Sequence, residues 1–287
     1  MTTSSTSSKH ATPEGPAPHI AFIGGGNMAS AIIGGLLKQG VAPETVTVVE
    51  PFEASREALR TQFKVNAIAK ADATLEGADL VVWAVKPQNL REATGQAGLF
   101  CAKALHLSVA AGIRSESLAQ WLGTQRIVRA MPNTPALVGL GQTGLFARSG
   151  VSANDKAWVE WLVASTGQFL WVSDEAQLDA VTAVSGSGPA YVFFFIEAME
   201  KAAIEMGMPA EQAKQLAIGT FVGASQLAQT AQEPVSVLRE RVTSKGGTTY
   251  AAITAMQSAR VDALFQDAIK AAQARAQVLG DEFGKSD

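Results

Sequence analysis

Short runs rich in Val and Ile recur along the first half of the 287-residue chain and dictate most of what it can fold into. They read HIAFIG, TVTVVE, DLVVWAV, LHLSVAA, RIVRAM and TGLFA, and helical patterns lie between them. Alternation of this kind describes a parallel sheet with crossover helices. The runs are almost continuously apolar, as expected when helices cover both faces of the sheet. Beyond Trp171 the pattern changes to long Ala-rich helical stretches with no strand after QFLWV,. The expected fold class is therefore α/β: a Rossmann-like parallel sheet over residues 19–172, then an all-helical dimerisation domain over 173–287. Residues 1–18, rich in Ser, Thr and Pro with no apolar core, are expected to form a disordered tail,.

Within the helical half, Pro189 suits a first helical turn, and YVFFFIEAMEKAAIEMGM runs to a stop near Gly207 and Pro209,. The YVFFFI stretch is apolar all round. A helix without a wet face must be buried on every side, either against a second copy of the chain or as a central core helix of a monomer. An interlocked homodimer is the expectation, the core helix its alternative.

The segment HIAFIGGGNMASAIIGGLLKQG reads as strand, glycine turn and helix. Gly24, Gly26 and Ala29 occupy the G-x-G-x-x-A positions of a dinucleotide fingerprint. Gly24 permits the sharp turn, Gly26 lets backbone approach a pyrophosphate, and Ala29 allows close helix packing. Gly25, Asn27 and Met28 complete the turn and the helix start, whose free amides suit an anion. Glu50 closes the second strand roughly 20 residues further on, where an acid accepts hydrogen bonds from the ribose of NAD. Arg56 lies one turn beyond and offsets repulsion of a 2'-phosphate, so both NADH and NADPH stay open. A solvated helix-start ion pair between Glu50 and Arg56 is the plainer reading.

A net charge of -3 without basic clusters argues against nucleic acid or an anionic membrane surface as partners,. Cys101 has no second thiol for a disulfide or a cysteine-rich zinc site, so no metal is expected,. No signal peptide is legible, and the longest uncharged apolar stretch, Pro189 to Ile196, is too short to span a bilayer,. A cytoplasmic, soluble protein follows. Of the three histidines, His10 lies in the tail, His19 opens the first strand and His106 sits in the apolar run LHLSV, so none suits a general base,. Reduction of an imine makes a smaller demand than oxidation of a hydroxy acid, because hydroxyls and amides that orient the substrate suffice. The segment VTSKGGTTYAA supplies such groups ahead of a helix: hydroxyls of Ser244, Thr248 and Thr249 and amides of Gly246 and Gly247,. Taken alone it reads equally well as an N-cap.

Several segments together resemble the pyrroline-5-carboxylate reductase family, from about His19 to the last helix. FIGGGNMA is similar to its nucleotide turn, AVKPQ to its loop after the fourth strand, and SVAAGI and RAMPNTPA to its next two crossover loops; VSGSGPAYVF also matches, and VTSKGGTT, with Pro234, Leu238 and Val242 ahead of it, is similar to its C-terminal signature. The resemblance implies reduction of 1-pyrroline-5-carboxylate to L-proline with NADPH or NADH, the last step of proline biosynthesis. It implies that Ser244 and the amides of Gly246 and Gly247 hold the substrate carboxylate, with Thr249 on the ring nitrogen. It places nicotinamide near Ala84, Val85, Lys86 and Pro87 and near Ala110 and Ala111. Lys86 would attract a phosphate or carboxylate, or else pair with its own loop's carbonyls; Asn133 and Thr134 read as turn residues first. The helical domains of two subunits would interlace, as a homodimer or a larger homo-oligomer built from dimers, and the VTSKGGTT loop of one would complete a site over the nucleotide domain of the other. The chain departs from the family at Lys245, where many members carry Pro. Two rivals remain: a 3-hydroxyacid dehydrogenase-like oxidoreductase with Lys201 or Lys214 as catalytic lysine, and a dinucleotide sensor without turnover.

Overall fold

A computed structural model describes residues 18–284; the disorder expected of the N-terminal tail falls on residues outside that range, Pro18 excepted. Eight strands form one sheet in the order β3-β2-β1-β4-β5-β6-β7-β8. They are β1 (Ile20–Ile23), β2 (Val46–Val49), β3 (Asn66–Ile68), β4 (Leu80–Trp83), β5 (Leu105–Ser108), β6 (Ile127–Met131), β7 (Gly141–Ala147) and β8 (Gly167–Trp171). The helices of this half are α1 (Asn27–Lys38), α2 (Glu53–Phe63), α3 (Pro87–Ala97), α4 (Ser115–Leu122), α5 (Ala153–Ala164) and α6 (Gln177–Val181). Alternate side chains of each strand enter opposite cores. Ile20, Phe22, Val46, Val48, Leu80 and Val82 pack with Ile33 and Leu36 of α1 and Leu162 of α5. Ala21, Ile23, Val81 and Trp83 pack on the other face with Leu90 of α3 and Leu118 of α4. Two covered faces explain why the runs read as continuously apolar.

The expectation of a wholly parallel sheet needs one correction: β7 runs antiparallel to β6, with Ala130 opposite Leu145. No crossover helix joins them. The link carries only a 3-10 turn over Thr134–Val138, and a short link can return a strand only in the opposite direction. Every other pairing in the sheet is parallel.

The first compact unit runs on to Gly186 rather than stopping near Val172, and it takes back the end of the last helix from Ala272. The physical reason is polar. Arg129 on β6, 2% exposed, pairs with Glu175 at 2.9 Å, and Arg114 pairs with Asp179 of α6 at 3.0 Å. Glu175 also accepts from the Ser115 amide at 2.7 Å, so α6 is clamped to the sheet before the chain leaves it.

The second unit, Ser187–Ala271, is helical: α7 (Gly188–Glu205), α8 (Ala210–Thr230), α9 (Val235–Arg241), α10 (Thr248–Ser258) and the first part of α11 (Val261–Gly284). Pro189 sits in the first turn of α7, and Gly207 at φ +93° follows its end. Helix α7 is not the buried core helix of a monomer, for no residue of it is buried and Phe194 is 68% exposed. Tyr191 and Phe195 meet Phe265 of α11 edge-on, with ring centroids 5.7 and 5.4 Å apart, beside an apolar groove. No helix among the described residues is long and apolar enough to cross a membrane.

Candidate active site

The C-terminal ends of β2, β1, β4 and β5 lie side by side, and chain order reverses between β1 and β4. Open α/β sheets bind ligands at such a switch point. Gly24 follows β1 at φ +98°, and a Cβ there would stand 2.7 Å from the Ala84 carbonyl oxygen, so only glycine fits,. Gly26 is the N-cap of α1, and a Cβ on it would meet nothing within 4 Å. That open face, beside first-turn amides with no intrahelical acceptor, fits a pyrophosphate. Ala29 is fully buried, while Asn27 is exposed and Gly25 and Met28 are partly so.

Glu50 and Arg56 do not form the solvated ion pair that their spacing offers, because both are buried. The Glu50 carboxylate accepts the amides of Gly25 and Phe52, each at 3.0 Å. The Arg56 guanidinium donates to the Glu50 and Pro51 carbonyls at 2.7 Å and pairs with Glu53. This tie between the glycine turn and the end of β2 has no local sequence signal, since it joins residues 25 positions apart.

Ala84 and Val85 are half-buried past the end of β4, Lys86 is the exposed N-cap of α3 and Pro87 opens that helix. The Lys86 ammonium has no partner among the described residues, so it is not held by its own loop's carbonyls. After β5, Ala110 is buried and Ala111 exposed. Asn133 proves to be a structural turn residue: its side chain donates to the Ser185 carbonyl at 3.0 Å and accepts the Gln142 amide at 2.8 Å. It thereby anchors the π-helical turn Thr182–Gly186 to the end of β6, an arrangement the sequence does not announce.

In the second unit, the segment between α9 and α10 closes a tight turn. The Gly247 amide donates to the Ser244 carbonyl at 3.0 Å, and Gly246 takes φ +79°. Gly247, not Ser244, is the N-cap of α10, and no side chain caps that helix. Ser244, Thr248 and Thr249 are exposed, and none of their hydroxyls is bonded among the described residues. These hydroxyls and the amides of Thr248 and Thr249 are thus unpaired donors that a carboxylate can accept from, whereas the Gly247 amide is engaged by Ser244,. Lys201 and Lys214 are exposed on α7 and α8. Among the described residues no three His, Cys, Asp or Glu side chains converge as a metal site would require.

Sheet, glycine turn and acid together define an NAD(P)-dependent oxidoreductase with a helical second domain. A family model described as NADP oxidoreductase coenzyme F420-dependent matches residues 19–112, and one described as pyrroline-5-carboxylate reductase dimerisation matches residues 175–279. The pyrroline-5-carboxylate reductase of Pseudomonas aeruginosa is 42% identical over 93% of this chain and 99% of its own length. The solved reductase of Coxiella burnetii superposes with TM-score 0.85 at 37% identity, covering 92% of this chain and 99% of that one. That of Plasmodium falciparum, solved with NADP bound, has TM-score 0.82 at 26% identity, covering 92% and 98%. The chain belongs to the pyrroline-5-carboxylate reductase family. Membership sets aside the hydroxyacid dehydrogenase and the sensor.

Proposed function

We propose that this chain reduces 1-pyrroline-5-carboxylate to L-proline with NADPH or NADH, and that the residues beyond Val172, chiefly the helical unit Ser187–Ala271, form the dimerisation and substrate region of a cytoplasmic homodimer or larger homo-oligomer. The observation that carries the reading at the site is the α9–α10 loop, where the exposed hydroxyls of Ser244, Thr248 and Thr249 are unpaired among the described residues, while the Gly247 amide is engaged by the Ser244 carbonyl. Ser244 and the amides of Gly246 and Gly247 hold the substrate carboxylate, the Gly247 amide exchanging the Ser244 carbonyl for it. Thr249 hydrogen-bonds the ring nitrogen of an imine that is protonated before reduction, so it orients and need not titrate. Gly24, Gly25, Gly26, Asn27 and Met28 form the turn that receives the pyrophosphate, Ala29 packs the helix start behind it, and Glu50 receives the adenosine ribose. Ala84, Val85, Lys86, Pro87, Ala110 and Ala111 border the nicotinamide. When bound, the reduced nicotinamide supplies hydride to the imine carbon. Lys86, free of partners, adds positive charge where phosphate or carboxylate approaches.

Oxidation of NADH or NADPH with pyrroline-5-carboxylate, with proline identified as product, tests the assignment. Thr249→Ala should lower kcat by about 10²-fold, the scale of a lost orienting contact, while the melting temperature stays put. Wild-type protein that binds dinucleotide but forms no proline would remove the reductase reading. Unchanged turnover in Thr249→Ala would take Thr249 out of the site.

A further inference from the structure

The turn between β2 and α2 settles a competition that spacing alone leaves open. Glu50 is 7% exposed, and its neighbours are amides rather than a cation. One carboxylate oxygen accepts Gly25 and the other Phe52, which leaves each with a further lone pair,. Because Gly25 belongs to the pyrophosphate turn, a ribose lying along that turn meets this carboxylate. Arg56, the cation best placed to offset it, is also 7% exposed, and its guanidinium is turned onto two carbonyls and the Glu53 carboxylate. Arg60 is engaged as well, with the Ala67 carbonyl at 2.6 Å and with Glu53 and Glu57. Three carboxylates therefore stand against two committed guanidiniums around this turn. Lys70, exposed beyond β3, would have to be ordered from solvent to contribute,.

We propose that this chain selects NADH over NADPH, with Glu50 the residue that discriminates and Arg56 a pin of the β2–α2 turn withdrawn from the 2'-phosphate. The inference rests on the dinucleotide half of the function proposed above. Ribose hydroxyls donate to a carboxylate, whereas a 2'-phosphate has nothing to donate and is repelled by it.

Direct binding of NADH and of NADPH to the full-length chain, without substrate and at one ionic strength, tests this by calorimetry. NADH should bind about tenfold or more tightly than NADPH, the effect of one unfavourable charge contact. Glu50→Gln, which keeps an oxygen acceptor, should narrow that ratio by strengthening NADPH. Arg56→Lys should leave the ratio as it was. Equal or tighter NADPH binding by the wild-type chain overturns the proposal, and so does an Arg56→Lys variant that loses NADPH alone. The wild-type ratio stands even where a variant fails to fold. A proline assay on the same sample separates the two readings: proline formed by an enzyme that prefers NADPH sinks this inference and spares the reductase, while NADH preference without proline does the reverse.

Discussion

Trp83 on β4 and His106 on β5 stack with ring centroids 5.9 Å apart, and the indole Nε1 donates to His106 Nδ1 at 3.2 Å. The neutral imidazole must then carry its proton on Nε2, which is buried with no partner among the described residues,. Burial, with the charge of Arg126 second, pushes this imidazole down to about 4. A base whose folded value lies below its unfolded one binds more protons when unfolded. Its contribution is therefore complete above the ordinary histidine value of about 6.5 and is lost as pH falls from there toward 4,. In urea melts, the stability lost between pH 7.5 and 5 should be smaller in His106→Gln than in the wild type by roughly 2 kcal/mol. Glutamine keeps an acceptor for Trp83, and only the slope with pH is read. Equal slopes would mean that His106 titrates like an exposed histidine. A buried, proton-poor ring within a strand is also poorly placed to act as a general base.

At the scale of elements, the α9–α10 loop gives Lys245 a physical place. Ser244 and Gly247 close a four-residue turn in which Gly246 takes φ +79°, the positive value that the third residue of a type II turn requires,. Lys245 is the second residue, the position where proline is favoured, which accounts for the proline that many family members carry there. Lys245→Pro should stabilise the chain by about 0.4–1 kcal/mol in chemical denaturation, by stiffening the unfolded chain at the second position of such a turn, which favours proline. A destabilised variant would mean that the turn uses the Lys245 amide. Loop identity was legible in the sequence because glycines and hydroxyls are local signals, and so were the strands whose apolar residues feed two covered faces. Strand β3 was not, because at the sheet edge it buries only Ala67 fully. Nor was the direction of β7, since an apolar run reads the same both ways and only the short link decides. The clamp on α6 was illegible for another reason: Arg129 and Glu175 are 46 positions apart, and buried ion pairs leave no periodicity. At the dinucleotide turn the fingerprint was plain, but the sequestration of Arg56 depends on where its side chain turns.

For the whole molecule, the exposed apolar face of α7 demands a partner, and the α9–α10 loop suggests what the partner receives. Phe193 and Phe194 are 59% and 68% exposed in the single chain, more apolar surface than a soluble monomer keeps without use,. If the loop of one subunit completes the site over the nucleotide domain of the other, two inactive variants should rescue each other. Gly26→Ala places its methyl in open space, so the fold survives, but the methyl blocks the backbone approach that a pyrophosphate needs,. Thr249→Ala removes the hydroxyl proposed to orient the substrate. In a mixed dimer, one site pairs the intact loop of the Gly26→Ala subunit with the intact nucleotide domain of the Thr249→Ala subunit, and the second site carries both defects. Random reassortment makes half the dimers mixed, each with one sound site of two, so activity should recover to about a quarter of wild type. Were both halves of each site drawn from the same subunit, every site would hold one defect, and mixing would restore nothing. Native mass spectrometry, which resolves the mixed dimer from both parents, confirms that subunits exchanged and leaves the recovered activity to decide whether the site is shared between chains.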